Sequence, residues 1–306
     1  MSRYKLRANY DIENIDSQKM DGTVIVDVPM LSNGELNYGL SHIKKKLYEE
    51  NVYPSEIGFD IMSLATMVYM ADTRIERVVQ DSWTREIELE IPVSNVEIWD
   101  SQIRTVERML KFLTGDLWKI TLSSRAWQFN NLEEVREKSN KYDEVSLFSG
   151  GMDSLISTIN LMENKKNTLL ISHAGEGLTK NAQKNIVNKF DLLYPDVLHT
   201  WLDLWMVFPR DYIPAGGNDN NTRSRSFLFI GYALFAMTGM DNINELLVPE
   251  NGLIALNVPL DETRVGSFST RTTHPFYLSL WNELLVGLGL NLSVKNPYWN
   301  KTKGEM

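Results

Sequence analysis

Residues 144–155 read Glu144-Val-Ser-Leu-Phe-Ser-Gly-Gly-Met-Asp-Ser-Leu155, and this stretch decides the fold. Val145–Phe148 is a short apolar run of strand type. Gly150 and Gly151 then turn the chain tightly. Over residues 153–163, Leu155, Ile156, Ile159 and Met162 fall on one helical stripe. A strand, a glycine turn and a helix in that order aim the unpaired N–H groups of the helix at the strand's end, where its dipole favours an anion. Ser149, Gly150, Gly151, Met152, Asp153 and Ser154 therefore form a candidate phosphate-binding loop. Its glycines permit close approach, and Ser149 and Ser154 add hydroxyl donors. Asp153 would repel a phosphate, so it is read as a ligand for the Mg2+ that accompanies ATP. The plainer alternative is a tight turn with Asp153 as helix N-cap. Gly-x4-Gly-Lys-Ser/Thr and Gly-x-Gly-x-x-Gly are both absent, which disfavours kinase-like and dinucleotide-binding assignments.

Downstream, strand-like and helical segments alternate. Thr168–Ser172, Val197–Leu202 and Glu245–Val248 have strand character, whereas 179–192, 223–238 and 274–286 have helical spacing. Alternation of this length predicts a parallel sheet covered on both faces, with ligands at the carboxyl ends of its strands. Upstream, residues 126–143 are polar and charged and mark the best boundary. The remainder predicts a smaller α+β unit. Thr23–Pro29 is a strand and 57–78 a helix through Ile61, Leu64, Ala65 and Val68. Residues 86–93 alternate so cleanly that an antiparallel, half-buried strand is expected. A helix over 101–113 and a strand at Trp118–Leu122 complete it. The expected organisation is an N-terminal unit over 1–143 and an α/β nucleotide-binding domain over 144–306.

Composition narrows the class. The chain has 306 residues, 43% apolar and 23% charged, which suits folded domains rather than disorder. No apolar run is long enough to span a membrane, and the N-terminus lacks a signal-peptide core, so a cytoplasmic location is expected. A formal charge of −9 argues against a broad nucleic-acid-binding face. With no cysteine, disulfides, thiolate nucleophiles and cysteine-based zinc sites are excluded, and the four histidines form no His-Glu-x-x-His pattern.

Ser149-Gly-Gly-Met-Asp-Ser154 resembles the signature of the PP-loop ATP-pyrophosphatases, whose fold is of the adenine nucleotide α-hydrolase type. Within that superfamily, residues 144–306 are most similar to 7-cyano-7-deazaguanine synthase. Thr222-Arg-Ser-Arg-Ser-Phe-Leu-Phe229, Pro249-Glu-Asn-Gly252, Ser269-Thr-Arg-Thr-Thr-His-Pro275 and Asn296-Pro-Tyr-Trp-Asn-Lys-Thr-Lys-Gly-Glu-Met306, which resembles the late Thr-Lys-x-Glu motif, occur in the expected order. The resemblance implies ATP and Mg2+ as cofactors. It also implies adenylation of 7-carboxy-7-deazaguanine followed by attack of ammonia. Activating a carboxylate as acyl-AMP supplies the leaving group that it lacks. On this reading Ser149, Asp153 and Lys303 are catalytic. Arg223 and Arg225 reach phosphate, and Arg264 and Arg271 lie on the substrate side; for each, a solvated surface charge is the alternative. Ser172 and His173 end a strand where adenine contact is expected, with packing as the other reading. Glu250, with Asn251 beside it, reads a purine edge or is a plain loop carboxylate. His274 touches substrate or opens a helix before Pro275.

Two departures stand out. The synthases carry a four-cysteine zinc element beyond the Thr-Lys-x-Glu motif; this chain has no cysteine and ends at Met306, so either a C-terminal truncation, which is the expectation, or a protein without the zinc element accounts for it. The N-terminal unit is extra. Its Asp81-Ser-Trp-Thr-Arg-Glu-Ile-Glu-Leu89 and Leu113-Thr-Gly-Asp-Leu-Trp118 resemble synthase-like proteins of bacterial anti-phage defence operons, which implies a partner protein and a protein amine as acceptor. Trp83, Trp99 and Trp118 are read as core residues, and exposure of one would favour a binding face. A PP-loop tRNA-modifying enzyme and a non-catalytic nucleotide-binding scaffold remain as alternatives.

Overall fold

The computed structural model describes residues 3–80, 82–130, 140–219, 223–256 and 271–306. The first unit runs β1 (Arg3–Asn9), β2 (Asp16–Met20), β3 (Thr23–Pro29), the small hairpin β4 (Leu31–Ser32) and β5 (Glu35–Leu36), α1 (Leu40–Glu49), α2 (Glu56–Arg74), β6 (Glu86–Val93), α3 (Val96–Asp100), α4 (Ile103–Thr114) and β7 (Leu117–Ser124). The second runs β8 (Glu144–Leu147), α5 (Met152–Glu163), β9 (Thr168–Ala174), α6 (Gly177–Leu193), β10 (His199–Trp205), α7 (Arg225–Met237), β11 (Glu245–Leu247), α8 (Gly252–Ala255), α9 (Pro275–Gly287) and β12 (Ser293–Lys295). The chain is thus α/β. One five-stranded sheet is ordered β2-β3-β1-β6-β7 and the other β10-β9-β8-β11-β12. The passage between them includes the polar boundary, of which residues 131–139 lie outside the described residues.

β6 is not antiparallel as its alternation suggested. It lies between β1 and β7 and runs parallel to both. Alternation reports that one face is wet; it says nothing of the direction of the neighbours. Here the wet face carries ion pairs across parallel strands. Lys5 Nζ lies 3.1 Å from Glu88 and 2.9 Å from Glu90, and Lys119 Nζ lies 3.1 Å from Glu88. The other face, through Leu6, Val26, Leu89 and Ile91, is buried. Only the β2–β3 pair of this sheet is antiparallel.

The second sheet is parallel throughout. Its alternation splits the core. Val145, Leu147, Leu169 and Ile171 join the main core, whereas Phe148 and Leu170 join a smaller cluster with Met162 of α5 and Val187 and Phe190 of α6. Both faces are therefore covered, as strand–helix alternation requires.

The main core runs without interruption from one sheet to the other. Its axis is α2, buried from Gly58 to Arg74, against α7, buried from Phe227 to Met237. The stripe Ile61, Leu64, Ala65, Val68 is only part of this burial, because α2 meets a sheet on one side and a helix on the other. Gly231 sets the spacing: a Cβ there would stand 2.8 Å from the Cβ of Ala65.

The two motif segments of the first unit meet in a buried ion cluster. Arg85 Nη2 bridges the carboxylates of Asp72 and Asp116, all three side chains being fully buried. Arg77 adds a 2.8 Å contact to Asp116. Trp99 and Trp118 are core residues, but Trp83 is 80% exposed.

A second ion cluster ties the units together. Asp203 of β10 is paired with Lys46 of α1 and, at 2.6 Å, with Lys180 of α6. Burial works against its ionisation, but Lys180 and Lys46 outweigh this and hold the carboxyl below the usual range. A depressed folded pKa contributes stability above the unfolded value of about 3.9 that is lost as pH falls through the folded one. Asp203→Asn should therefore lower the urea midpoint at pH 7 and progressively less below about pH 4. Equal losses at pH 7 and pH 3 would refute the assignment.

Candidate active site

In sequence order the second sheet reads 3-2-1-4-5, so the order reverses between β8 and β11. Open parallel sheets bind ligands outside the carboxyl ends of their strands at such a point. The two segments leaving these strands are Phe148–Gly151 and Val248–Asn251. Between them opens a cavity of about 290 Å3, lined by Ser149, Ser154, Arg225, Phe229, Glu250 and Thr273 among others.

The loop has the geometry that its glycines predict. Gly150 sits at φ +81°, where a Cβ would also come within 3.0 Å of Gln183 Cγ. Gln183, itself buried, donates through Nε2 to the Ser149 carbonyl at 3.1 Å and so fixes the turn. Ser149 Oγ accepts from Gly151 N at 3.2 Å and lies 3.2 Å from Ser154 Oγ. Gly151 is the N-cap of α5, and no side chain caps the helix. Its first N–H groups are thus left for a ligand.

Asp153 is not the N-cap. It turns from the first turn of α5 across the crevice. Its Oδ2 accepts from Asn251 N at 2.9 Å and from Asn251 Nδ2 at 2.7 Å, and its Oδ1 lies 3.2 Å from Lys303 Nζ. Asn251 in turn caps α8 through Oδ1, accepting from Ile254 N at 3.2 Å. Glu250 faces Asp153, and the two carboxyls shift in opposite directions. Burial and then Asp153 push the Glu250 carboxyl up to about 8. For Asp153, burial is outweighed by Asn251, Glu250 and Lys303, which hold it below the usual range. Two facing carboxyls beside a glycine loop and an uncapped helix N-terminus are a donor set of the kind that suits Mg2+, which takes one or two carboxylates plus phosphate oxygens. Among the described residues no three His, Asp or Glu side chains converge as a metal site, and the sequence has no cysteine.

The late motif reaches the same place. Asn296 opens the late segment but had no role assigned from the sequence; it is buried and holds Glu250 by both backbone groups: Glu250 N donates to Oδ1 at 3.2 Å, and Nδ2 donates to Glu250 O at 2.7 Å. Gly252 N donates to Lys301 O at 2.7 Å. Thr302 and Glu305 form a reciprocal capping pair, with Thr302 N 2.7 Å from Glu305 Oε2. The Asn-Pro step that opens the segment is a faint signal, because the role of Asn296 depends on a contact across 46 residues.

Other candidates lie elsewhere. Ser172 is buried, and its hydroxyl donates to the Phe148 carbonyl behind the loop. His173 is buried with its ring edge-on to Tyr69, 5.3 Å between centroids. Burial and then Arg225 push it down to about 3, so it is neutral. Arg225 donates to His173 Nδ1 at 3.3 Å and to its carbonyl at 3.0 Å while lining the crevice. Arg223 points away and donates to Thr114 O at 2.8 Å. Arg271 donates to Phe112 O at 2.9 Å, while its neighbours Thr272 and Thr273 line the crevice. His274 is the N-cap of α9, its Nδ1 accepting from Phe276 N at 3.1 Å. Both departures have one cause: α4 ends beside these loops and presents carbonyls that attract guanidinium groups. Arg264 lies outside the described residues.

The fold and site define an α/β protein with a glycine loop at the switch point of a parallel sheet. Comparison with known protein families, with curated proteins and with solved structures finds no match for the chain. Among the described residues, no helix is long and apolar enough to cross a membrane.

Proposed function

We propose that the chain is a PP-loop ATP-pyrophosphatase that adenylates the carboxylate of a 7-deazaguanine and passes the acyl group to ammonia or a protein amine. The observation that carries this reading is the Ser149–Ser154 loop, which brings uncapped helix N–H groups, Asp153, Glu250 and Lys303 to one crevice. The deazaguanine and the link to anti-phage defence rest on sequence resemblance.

In this reading the loop N–H groups and the Ser149 and Ser154 hydroxyls hold the pyrophosphate end of ATP. Asp153 and Glu250 would hold Mg2+, which would offset charge on the phosphates. Lys303, half exposed beside Asp153, is free to turn toward phosphate oxygens, and Arg225 guards the opposite wall. A substrate carboxylate oxygen attacks the α-phosphorus, and the bond to pyrophosphate breaks. An amine then attacks the acyl carbon, loses its proton and expels AMP. The exposed Trp83 supports a partner-facing role for the first unit.

One observation favours a second reading, a nucleotide-binding scaffold without turnover. Asp153 already has partners within the chain, so its presence is accounted for without a metal. AMP and pyrophosphate release distinguishes the two. With ATP, Mg2+ and 7-carboxy-7-deazaguanine, the enzyme reading expects equimolar release that requires the deazaguanine. ATP binding without any release would establish the scaffold and reject the enzyme.

A further inference from the structure

The segment that follows β10 belongs to the second unit in sequence and to the first in space. Arg74, buried at the end of α2, grips it at both ends: Nε donates to Pro209 O at 2.7 Å, Nη2 to Phe208 O, and Nη1 to Asn218 Oδ1 at 2.9 Å. Glu76 holds the far end twice. Its N–H donates to Gly216 O at 2.7 Å, and its Oε1 accepts from Asn218 N at 2.7 Å. The fit is close: a Cβ at Gly216 would stand 2.2 Å from Arg74 O, and Gly217 sits at φ +86° against the Glu76 side chain. Between these ends, Tyr38 Oη lies 2.9 Å from Tyr212 Oη, and Tyr4 Oη donates to Ala215 O. Connecting segments ordinarily move more than the elements they join; this one is fixed by side chains of the other unit.

The fixed segment forms a wall. Met206, Phe208 and Asn218 stand on one side of a cavity of about 620 Å3 at the carboxyl ends of β9 and β10, with His173 and Glu176 on the other. Arg225 lines both this cavity and the crevice of the glycine loop. In the ATP reading the loop takes the phosphates, and the adjoining cavity takes the nucleoside end. Glu76 does not line that cavity, so any effect it has there passes through the segment it holds.

We propose that Glu76 and Arg74 are positioning residues of the nucleotide site, and that the first unit completes this site by pinning residues 206–218 as its nucleoside-side wall. This rests on the reading that ATP occupies the glycine loop. A wall already in place spares the ligand the cost of ordering it. A loosened wall lowers the fraction of binding-competent chains, and the apparent affinity falls by the same factor. The glycine loop is held by Gln183 of the second unit, so its hold on phosphate alone is unaffected.

The test is calorimetric titration of the full chain with ATP and, separately, with inorganic pyrophosphate, both with Mg2+. Glu76→Ala should weaken ATP binding by about ten-fold and change pyrophosphate binding by less than about two-fold. Glu76→Gln keeps an oxygen for Asn218 N and should restore ATP binding. Tyr212→Ala, which frees the middle of the segment, should show the same split between the two ligands and serves if Glu76→Ala does not fold. Equal weakening of both ligands would mean general damage and overturn the proposal. Wild-type ATP affinity in both Glu76→Ala and Tyr212→Ala would overturn it while leaving the ATP reading intact. A wild-type chain that binds neither ligand would overturn both.

Discussion

Arg85→Ala is expected to destabilise the protein by about 3–5 kcal/mol, a large share of the stability of an ordinary domain. Arg85 Nη2 serves both Asp72 and Asp116, while Nη1 donates to Asp72 O at 2.8 Å and Ile75 O at 2.6 Å. One side chain thus closes the end of α2, the start of β6 and the start of β7. Truncation leaves two buried carboxylates and two carbonyls short of donors. Asp116 keeps Arg77 and Asp72 keeps Ser224 N at 2.9 Å, which limits the loss but does not repair it. Arg85→Lys should also lose stability, because an ammonium cannot reproduce the fork. Urea denaturation measures both. A loss below about 1 kcal/mol for Arg85→Ala would mean that the cluster is not what joins these elements.

Asp153 is expected to show two effects that separate between two substitutions. Asp153→Ala should abolish AMP release and also cost roughly 1–3 kcal/mol of stability, since Asn251 is left with two buried donors unpaired. Asp153→Asn retains an amide oxygen for Asn251 and should recover much of that stability while remaining inactive, because a neutral amide is a poor Mg2+ ligand. Turnover by Asp153→Asn close to the wild-type rate would reject the metal role. An equal stability loss in both variants would instead point to the Lys303 pair as the structural contact that matters.

These two residues show how unevenly the molecule was legible. The loop could be read directly, because its logic is local: strand, glycines at a left-handed turn and helix follow within a dozen residues. The elements of the second sheet were legible for the same reason, since hydrophobic period and chain order suffice for βαβ units. Local patterns could not assign the direction of β6, which is decided by the crossovers through α2 and α4. Nor could they show α2 as the axis of one shared core, because a helical stripe reveals one buried face and not a second.

At the site, local sequence was enough to say which residue types stand in the loop and in the segments expected around it. Tertiary structure decided which of them meet. It joined Asp153 to Asn251, Glu250 and Lys303, gave Asn296 its role under Glu250, and placed Arg225 between two cavities. It turned Arg223 and Arg271 toward the carbonyls of Thr114 and Phe112 and made His274 a helix cap. The physical reason is range. Turn and helix preferences act between near neighbours, whereas a guanidinium or carboxylate takes whichever buried partner the packing of distant elements brings within about 3 Å.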